Sequence, residues 1–274
     1  MAHRHDTWTS RGKKYIEHEF KYMGRYGAKG EKRAPRRKAT PEQVKKQNQY
    51  HREKTVLRKM RNNFEPGDLW ITLKLPQGMK MSGKEIMKVQ KDFFDKLRYR
   101  YKRREQTLKY MYRIEIGERG GIHIHALVNR LNGTPGTAEL VTAIWNGLTE
   151  GHVNYTPVYE QGNFKELADY LVKKPTEEIT GQLTLFETEE ERKVFLKYGC
   201  SKNLEMPEKE THEYKRRTVR KLIENGPEPQ PGYYIDRDSI RYGVNPYTGM
   251  SYYYYTEIRL DWDVGKIKKE CDVV

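Results

Sequence analysis

The sequence predicts an α+β fold, an antiparallel sheet with helices packed on one face in the split βαβ arrangement. Three observations predict it. Between residues 69 and 159 the candidate elements run strand, helix, strand, strand, helix, strand. The middle strands, 108–117 and 121–129, flank Gly117-Glu118-Arg119-Gly120-Gly121, a glycine-rich hairpin signal. Ile86, Val89, Phe93, Phe94 and Leu97 recur at helical spacing, which gives the first of these helices an apolar stripe for the sheet.

Each element has its own local signature. Residues 1–39 are polar and basic and end in "GEKRAPRRK", which predicts a mobile or nucleic-acid-tracking arm. A basic helix then opens with Thr40 as N-cap, Pro41 at the first turn and Gln43 closing a capping box. "PGD" at 66–68 is a turn, and "LWITLKL" at 69–75 a strand. Ser82 and Glu85 form a second capping box, so the striped helix covers 83–104. A helix at 137–148 and a strand at 152–159 follow. Another helix spans 163–175, with Asn163 as its cap and Pro175 as its stop. Residues 175–192 read as a loop insertion and "YGCSKNL" (198–204) as a short edge strand. "HEYKRRTVRKLIENG" reads as a basic helix, and two Tyr-rich β runs flank the turn "NPYTG". The expected division is a basic arm and helix over 1–65, a central domain over 66–206, and a basic helix with a Tyr-rich β-hairpin extension over 207–274.

Composition narrows the partner. Lys and Arg number 53 against 38 Asp and Glu, so the formal net charge is +15. A solvated basic surface would have the same sum, but a polyanion is the favoured partner, nucleic acid first. The 21 tyrosines suit unstacked bases, which stack on rings while cations hold the backbone. Cys200 and Cys271 have no metal-like spacing, as in a reducing-compartment chain. There is no secretory h-region and no apolar run of the roughly 20 residues a membrane span needs, so the expectation is a cytoplasmic protein with no membrane partner.

The apolar strand at 121–129 carries two imidazoles, His123 and His125. A three-residue loop, Glu118 to Gly120 with Gly120 at positive φ, sets Gly117 opposite Gly121. Glu115 then falls opposite His123 and Arg113 opposite His125, and alternation puts His123, His125 and Glu115 on one face. Two imidazoles and a carboxylate there make an open divalent-metal site. A two-residue loop would turn Glu115 away and leave Glu118 as the third ligand. The competing reading is two ordinary polar residues on an exposed sheet face. His3 and His5 show the same spacing in a polar segment and are read that way.

On the helix at 163–175, Phe164, Leu167, Ala168 and Leu171 form the core stripe, and Tyr170 lies at its edge. Lys173 and Lys174 are its i+3 and i+4 neighbours. A phenol is a poor nucleophile until cations or a metal stabilise its anion, and the adjacent lysines supply cations. The competing reading is a half-buried structural tyrosine.

Taken together, "GIHIHALVN", "LWITLKL" and "YLVK" resemble the His-hydrophobe-His motif, first strand motif and Y-x-x-K nucleophile motif of the HUH endonuclease superfamily. The "IWNGL" helix and "YGCSKNL" are similar to the rolling-circle replication-associated proteins of bacterial phages, plasmids and integrative elements. The resemblance covers roughly residues 66–206. It implies His123 and His125 as ligands of Mg²⁺ or Mn²⁺, Glu115 in the third-ligand role, Tyr170 as the single nucleophile, and Lys173 or Lys174 as its partner. Thr72, Lys74, Arg113, Arg119 and Lys202 are candidate nucleic-acid contacts. The implied activity is nicking and joining of single-stranded DNA, or of an origin hairpin, through a 5′-phosphotyrosine link, initiating rolling-circle replication of a mobile element. The sequence holds no G-x-x-x-x-G-K-[ST] loop, so a host helicase and polymerase are expected partners. The alternatives are a relaxase or single-tyrosine transposase with the same chemistry, a non-catalytic nucleic-acid-binding module, and a metal-dependent hydrolase of small phosphates.

Overall fold

The structure is a computed structural model that describes residues 3–22, 37–116, 121–158, 164–172, 198–214 and 219–260. It is an α+β protein with two five-stranded antiparallel sheets. The chain divides into two compact units, Met1–Asn48 with Met206–Val274, and Gln49–Glu205.

The first unit departs from the basic arm that the sequence suggests. Residues 3–22 hold two strands, β1 (His3–Thr9) and β2 (Tyr15–Tyr22). These join the C-terminal strands β8 (Glu208–Tyr214), β9 (Tyr233–Asn245) and β10 (Met250–Arg259) in the order β8-β1-β2-β10-β9. Lys and Arg disguise a period of two. His3, His5 and Thr7 fall on one face, and Arg4, Asp6 and Trp8 on the other. A fully buried Asp6 is tolerated because Lys21, Arg4 and Lys209 surround its carboxylate at 2.6, 3.1 and 3.5 Å, and Thr211 donates to it at 2.9 Å. The basic helix expected at 212–226 is cut short for a similar reason. Residues up to 214 pair with β1 as an edge strand, which leaves a helix only over Arg220–Asn225. The Tyr-rich runs form the expected hairpin, with Gly249 at φ 66° closing its turn.

The second unit holds the split βαβ order. Its elements are the C-terminal part of α1 (Pro41–Asn63), β3 (Leu69–Lys74), α2 (Gly83–Lys102), β4 (Tyr110–Ile116), β5 (Ile122–Val128), α3 (Thr137–Thr149), β6 (His152–Pro157), α4 (Lys165–Val172) and β7 (Gly199–Cys200). The sheet order is β6-β3-β5-β4-β7. Ser82 caps α2 as expected, its hydroxyl accepting from Glu85 N while the Glu85 carboxylate accepts from Ser82 N.

The sheet's two faces have different partners. Ile71, Leu73, Ile114, Ile116, Ile122, Ile124, Ala126 and Val128 point to one side and pack under α2 and α3. On the other side Met111 and Leu127, with Trp70 beside them, pack against Val56 and Met60 of α1 and Ala168 and Leu171 of α4. The sequence places helices on one face, whereas here a second layer covers one end of the other. The weak amphipathic pattern of α1 concealed Val56 and Met60 as buried positions. The end left open is that of Thr72, Lys74, Glu115, His123 and His125.

α3 also anchors β3. Trp145 is fully buried, and its indole N–H donates to Lys74 O at 2.9 Å. Gly151 passes so close that a Cβ there would lie 2.1 Å from the same oxygen. Trp145→Ala is expected to cost about 3–5 kcal/mol through the cavity it leaves, read as a fall in the midpoint of urea unfolding.

Candidate active site on the open half of the sheet

Pairing across the sheet builds the site in rows. β4 and β5 pair Glu115 with His123 and Arg113 with His125. β3 adds Lys74 beside His123 and Thr72 beside His125. β6 adds His152 beside Lys74 and Asn154 beside Thr72. Paired residues share a face, so one row reads Glu115, His123, Lys74, His152 and the next Arg113, His125, Thr72, Asn154. The third, Met111, Leu127 and Trp70, is the apolar row roofed by α1 and α4. The expected register between Glu115 and His123 is the one observed. The loop that sets it, with Glu118 and Arg119, lies outside the described residues.

Tyr170 reaches this face from α4. Its hydroxyl donates to Glu115 Oε2, and its ring meets His125 and Trp70 edge-on at centroid distances of 5.0 and 5.8 Å. A residue 55 positions away in sequence is thus delivered to the carboxylate opposite His123. Lys173 and Lys174 follow the end of α4 and lie outside the described residues.

Arg113 explains how α4 is held. It is buried, and its Nη1 donates to the carbonyls of Tyr170 at 3.0 Å and Leu171 at 3.4 Å. Those carbonyls belong to the last turn, where helix donors run out and a cation also suits the dipole. Arg113 is therefore a clamp on the Tyr170 helix rather than the nucleic-acid contact the sequence suggests. Lys202 is exposed but follows β7, beside the Ser201–Tyr110 bonds at the far end of β4. Five residues of strand, roughly 17 Å, separate that end from Glu115. Lys202 is accordingly not brought to this site.

Thr72 has a second task that the sequence did not suggest. Its Oγ1 lies 3.1 Å from His125 Nδ1. With Nδ1–H donating to that hydroxyl, the Nε2 lone pair faces Glu115. Nε2 is 3.0 Å from Glu115 Oε2, yet it is buried and makes no directed hydrogen bond. Two electron-rich atoms at that distance call for a proton or a cation between them. The neighbouring imidazole, and then the Tyr170 hydroxyl, hold the Glu115 carboxyl down to about 2. Burial, and after it the hydrogen bond and charge of Glu115, push the Tyr170 phenol well above its usual range. Burial also lowers His123, helped by His125 and Lys74, which favours the neutral imidazole that a metal needs.

These donors suit a hard divalent ion in kind, since imidazole and carboxylate together bind Mn²⁺ and Mg²⁺, and Thr72 supplies the outer hydrogen bond that orients a ligating histidine. In arrangement, two of the three are in place. The His123 ring stands 6.1 Å from that of His125 with its Nε2 near Gly121, and among the described residues no three His, Cys, Asp or Glu side chains are grouped closely enough to hold a metal.

Trp70, His152 and Asn154 were not foreseen in the sequence. The alternation in "HVNYTP" puts His152, Asn154 and Thr156 together, but only the pairing of β6 with β3 shows that they share the face of the His-x-His strand.

Residues 68–176 match the family model of the ORF2-type replication-associated proteins. The matched stretch runs from β3 through α4, so it includes His123, His125, Glu115 and Tyr170. This segment is similar to replication-associated proteins. A search of curated proteins and a search of solved structures found no match. Among the described residues no helix is long and apolar enough to cross a membrane.

Replacing Arg113 by Ala removes two bonds of a charged donor to α4, each class worth about 1.5–3 kcal/mol. Amide exchange in residues 165–172 is expected to accelerate roughly tenfold or more, measured by hydrogen exchange with mass spectrometry. Unchanged protection would show that apolar packing alone holds the helix.

Proposed function

We propose that the chain initiates replication of a mobile element as an HUH-type endonuclease, nicking and rejoining single-stranded DNA through a 5′-phosphotyrosine at Tyr170. The observation that carries this reading is the hydrogen bond from the Tyr170 hydroxyl to Glu115, beside the inward-facing Nε2 of His125. The family match links the same stretch to replication.

Glu115 and His125 would hold a Mg²⁺ or Mn²⁺ ion, with His123 completing the set. When bound, that ion would polarise the non-bridging oxygens of the scissile phosphate and neutralise developing charge. Tyr170 attacks the phosphorus in line. Its oxygen forms a bond to phosphorus as the bond from phosphorus to the 3′ oxygen breaks. The proton lost by the phenol is balanced by the one the 3′ oxygen takes from water. The ester keeps a phosphodiester linkage, so attack by a 3′-hydroxyl reverses the step and joins strands. The raised phenol pKa agrees with a need for cations, because burial and Glu115 keep Tyr170 protonated until positive charge enters. Lys173 and Lys174, the residues after α4, are the protein's candidates for part of that charge.

Tyr170→Phe removes only the hydroxyl. Cleavage, joining and the covalent adduct on denaturing gels are expected to vanish, while single-stranded DNA binding persists, since affinity rests mainly on phosphate contacts. An adduct that survives this change overturns the assignment of the nucleophile. Thr72→Val deletes the bond to His125 Nδ1, and Mn²⁺ affinity by calorimetry is expected to fall about 10- to 100-fold.

A further inference from the structure

We propose that Lys74, His152 and Asn154 form a phosphate-binding subsite for the part of the DNA strand that leaves with the 3′-hydroxyl, the side 5′ to the nick. This rests on the nicking reading above and assigns its strand direction.

Three observations converge. The nucleophile enters from one side, since the Tyr170 hydroxyl is held on Glu115 of β4. In-line displacement puts the departing oxygen on the far side of the phosphorus. From Glu115, the far side of the open row is β5, then β3, then the edge strand β6. The neighbouring apolar row is roofed by α1 and α4, so the strand's open course follows Glu115, His123, Lys74 and His152. At about 4.8 Å per strand this course spans roughly 14 Å, room for more than one nucleotide.

The side chains along it are suited to phosphates. Lys74 is a cation, and His152 and Asn154 offer N–H donors, types that contact phosphate oxygens. His152 and Asn154 are exposed. Among the described residues Lys74 Nζ, His152 and Asn154 make no side-chain hydrogen bond or ion pair. An edge strand that spends its outward positions on His and Asn, next to a Lys of the same face, leaves three donors for a ligand. After cleavage the 5′-phosphate half stays attached to Tyr170, while the half ending in the 3′-hydroxyl is held by non-covalent contacts alone. The subsite would set how long that half remains, and so the balance of rejoining against release.

The test uses the full chain with Mn²⁺. A single-stranded substrate is first selected from a randomised pool through its covalent adduct with the unmodified protein. His152→Ala with Asn154→Ala is then compared on this substrate and on versions shortened 5′ or 3′ of the nick. The double variant is expected to raise KM about tenfold with a small change in kcat, to lower rejoining relative to release, and to flatten the log–log salt slope by about 0.7 for each phosphate no longer neutralised. The KM difference should disappear on substrates shortened on the 5′ side and persist on those shortened on the 3′ side. His152→Arg, which keeps a phosphate donor, should restore most of the loss. A penalty that follows the 3′ side, or ignores truncation, overturns the subsite while the adduct keeps the nicking reading intact. A pool that yields no adduct with the unmodified protein overturns both.

Discussion

Glu115 faces His123 across the β4–β5 pair, and the site's geometry depends on that register. A strand has a period of two, so a slip of one residue would send Glu115 into the core and Ile114 or Ile116 to the open face. The slip is resisted from below. Ile114, Ile116, Ile122 and Ile124 are nearly inaccessible and pack under α2 and α3, and the same register serves both faces. The core thus holds the polar row in place without touching it.

The same sheet divides its second face between packing and chemistry. Trp70, Met111 and Leu127 take one end and carry α1 and α4. Arg113 lies at the border, where its buried guanidinium meets the last carbonyls of α4. One short helix can therefore present a tyrosine to the open end without a long apolar anchor of its own. The cost is a half-buried phenol beside a carboxylate, which resists ionisation. Such a group does nothing alone, and this links Tyr170 chemistry to an incoming cation and phosphate.

The first unit solves a different problem with the same geometry. A strand pair rich in charge buries Asp6 by matching it with Lys21, Arg4 and Lys209. Its other face carries stacked rings instead, His5 on Phe20 at 3.9 Å and His18 on Tyr255 at 4.5 Å. His5 and His18, which look like plain surface residues in sequence, are there joined by a 2.9 Å hydrogen bond.

The sequence by itself determined what is local. Capping at Ser82 and Glu85, the stripe of α2, the strand of the two histidines and the hairpin register of Glu115 all follow from periods and turn chemistry within short windows. The same windows misjudged residues 3–22 and 208–214, because strand formation there depends on partners more than 180 residues apart in the chain. Only tertiary structure decided that Tyr170 meets Glu115, that Arg113 serves α4 and not a ligand, that Thr72 orients His125, and that His152 and Asn154 join their face. A strand's alternation states which residues stand together but not which side of the sheet they join. That choice is made by the pairing of distant strands and by the helices that cover one side.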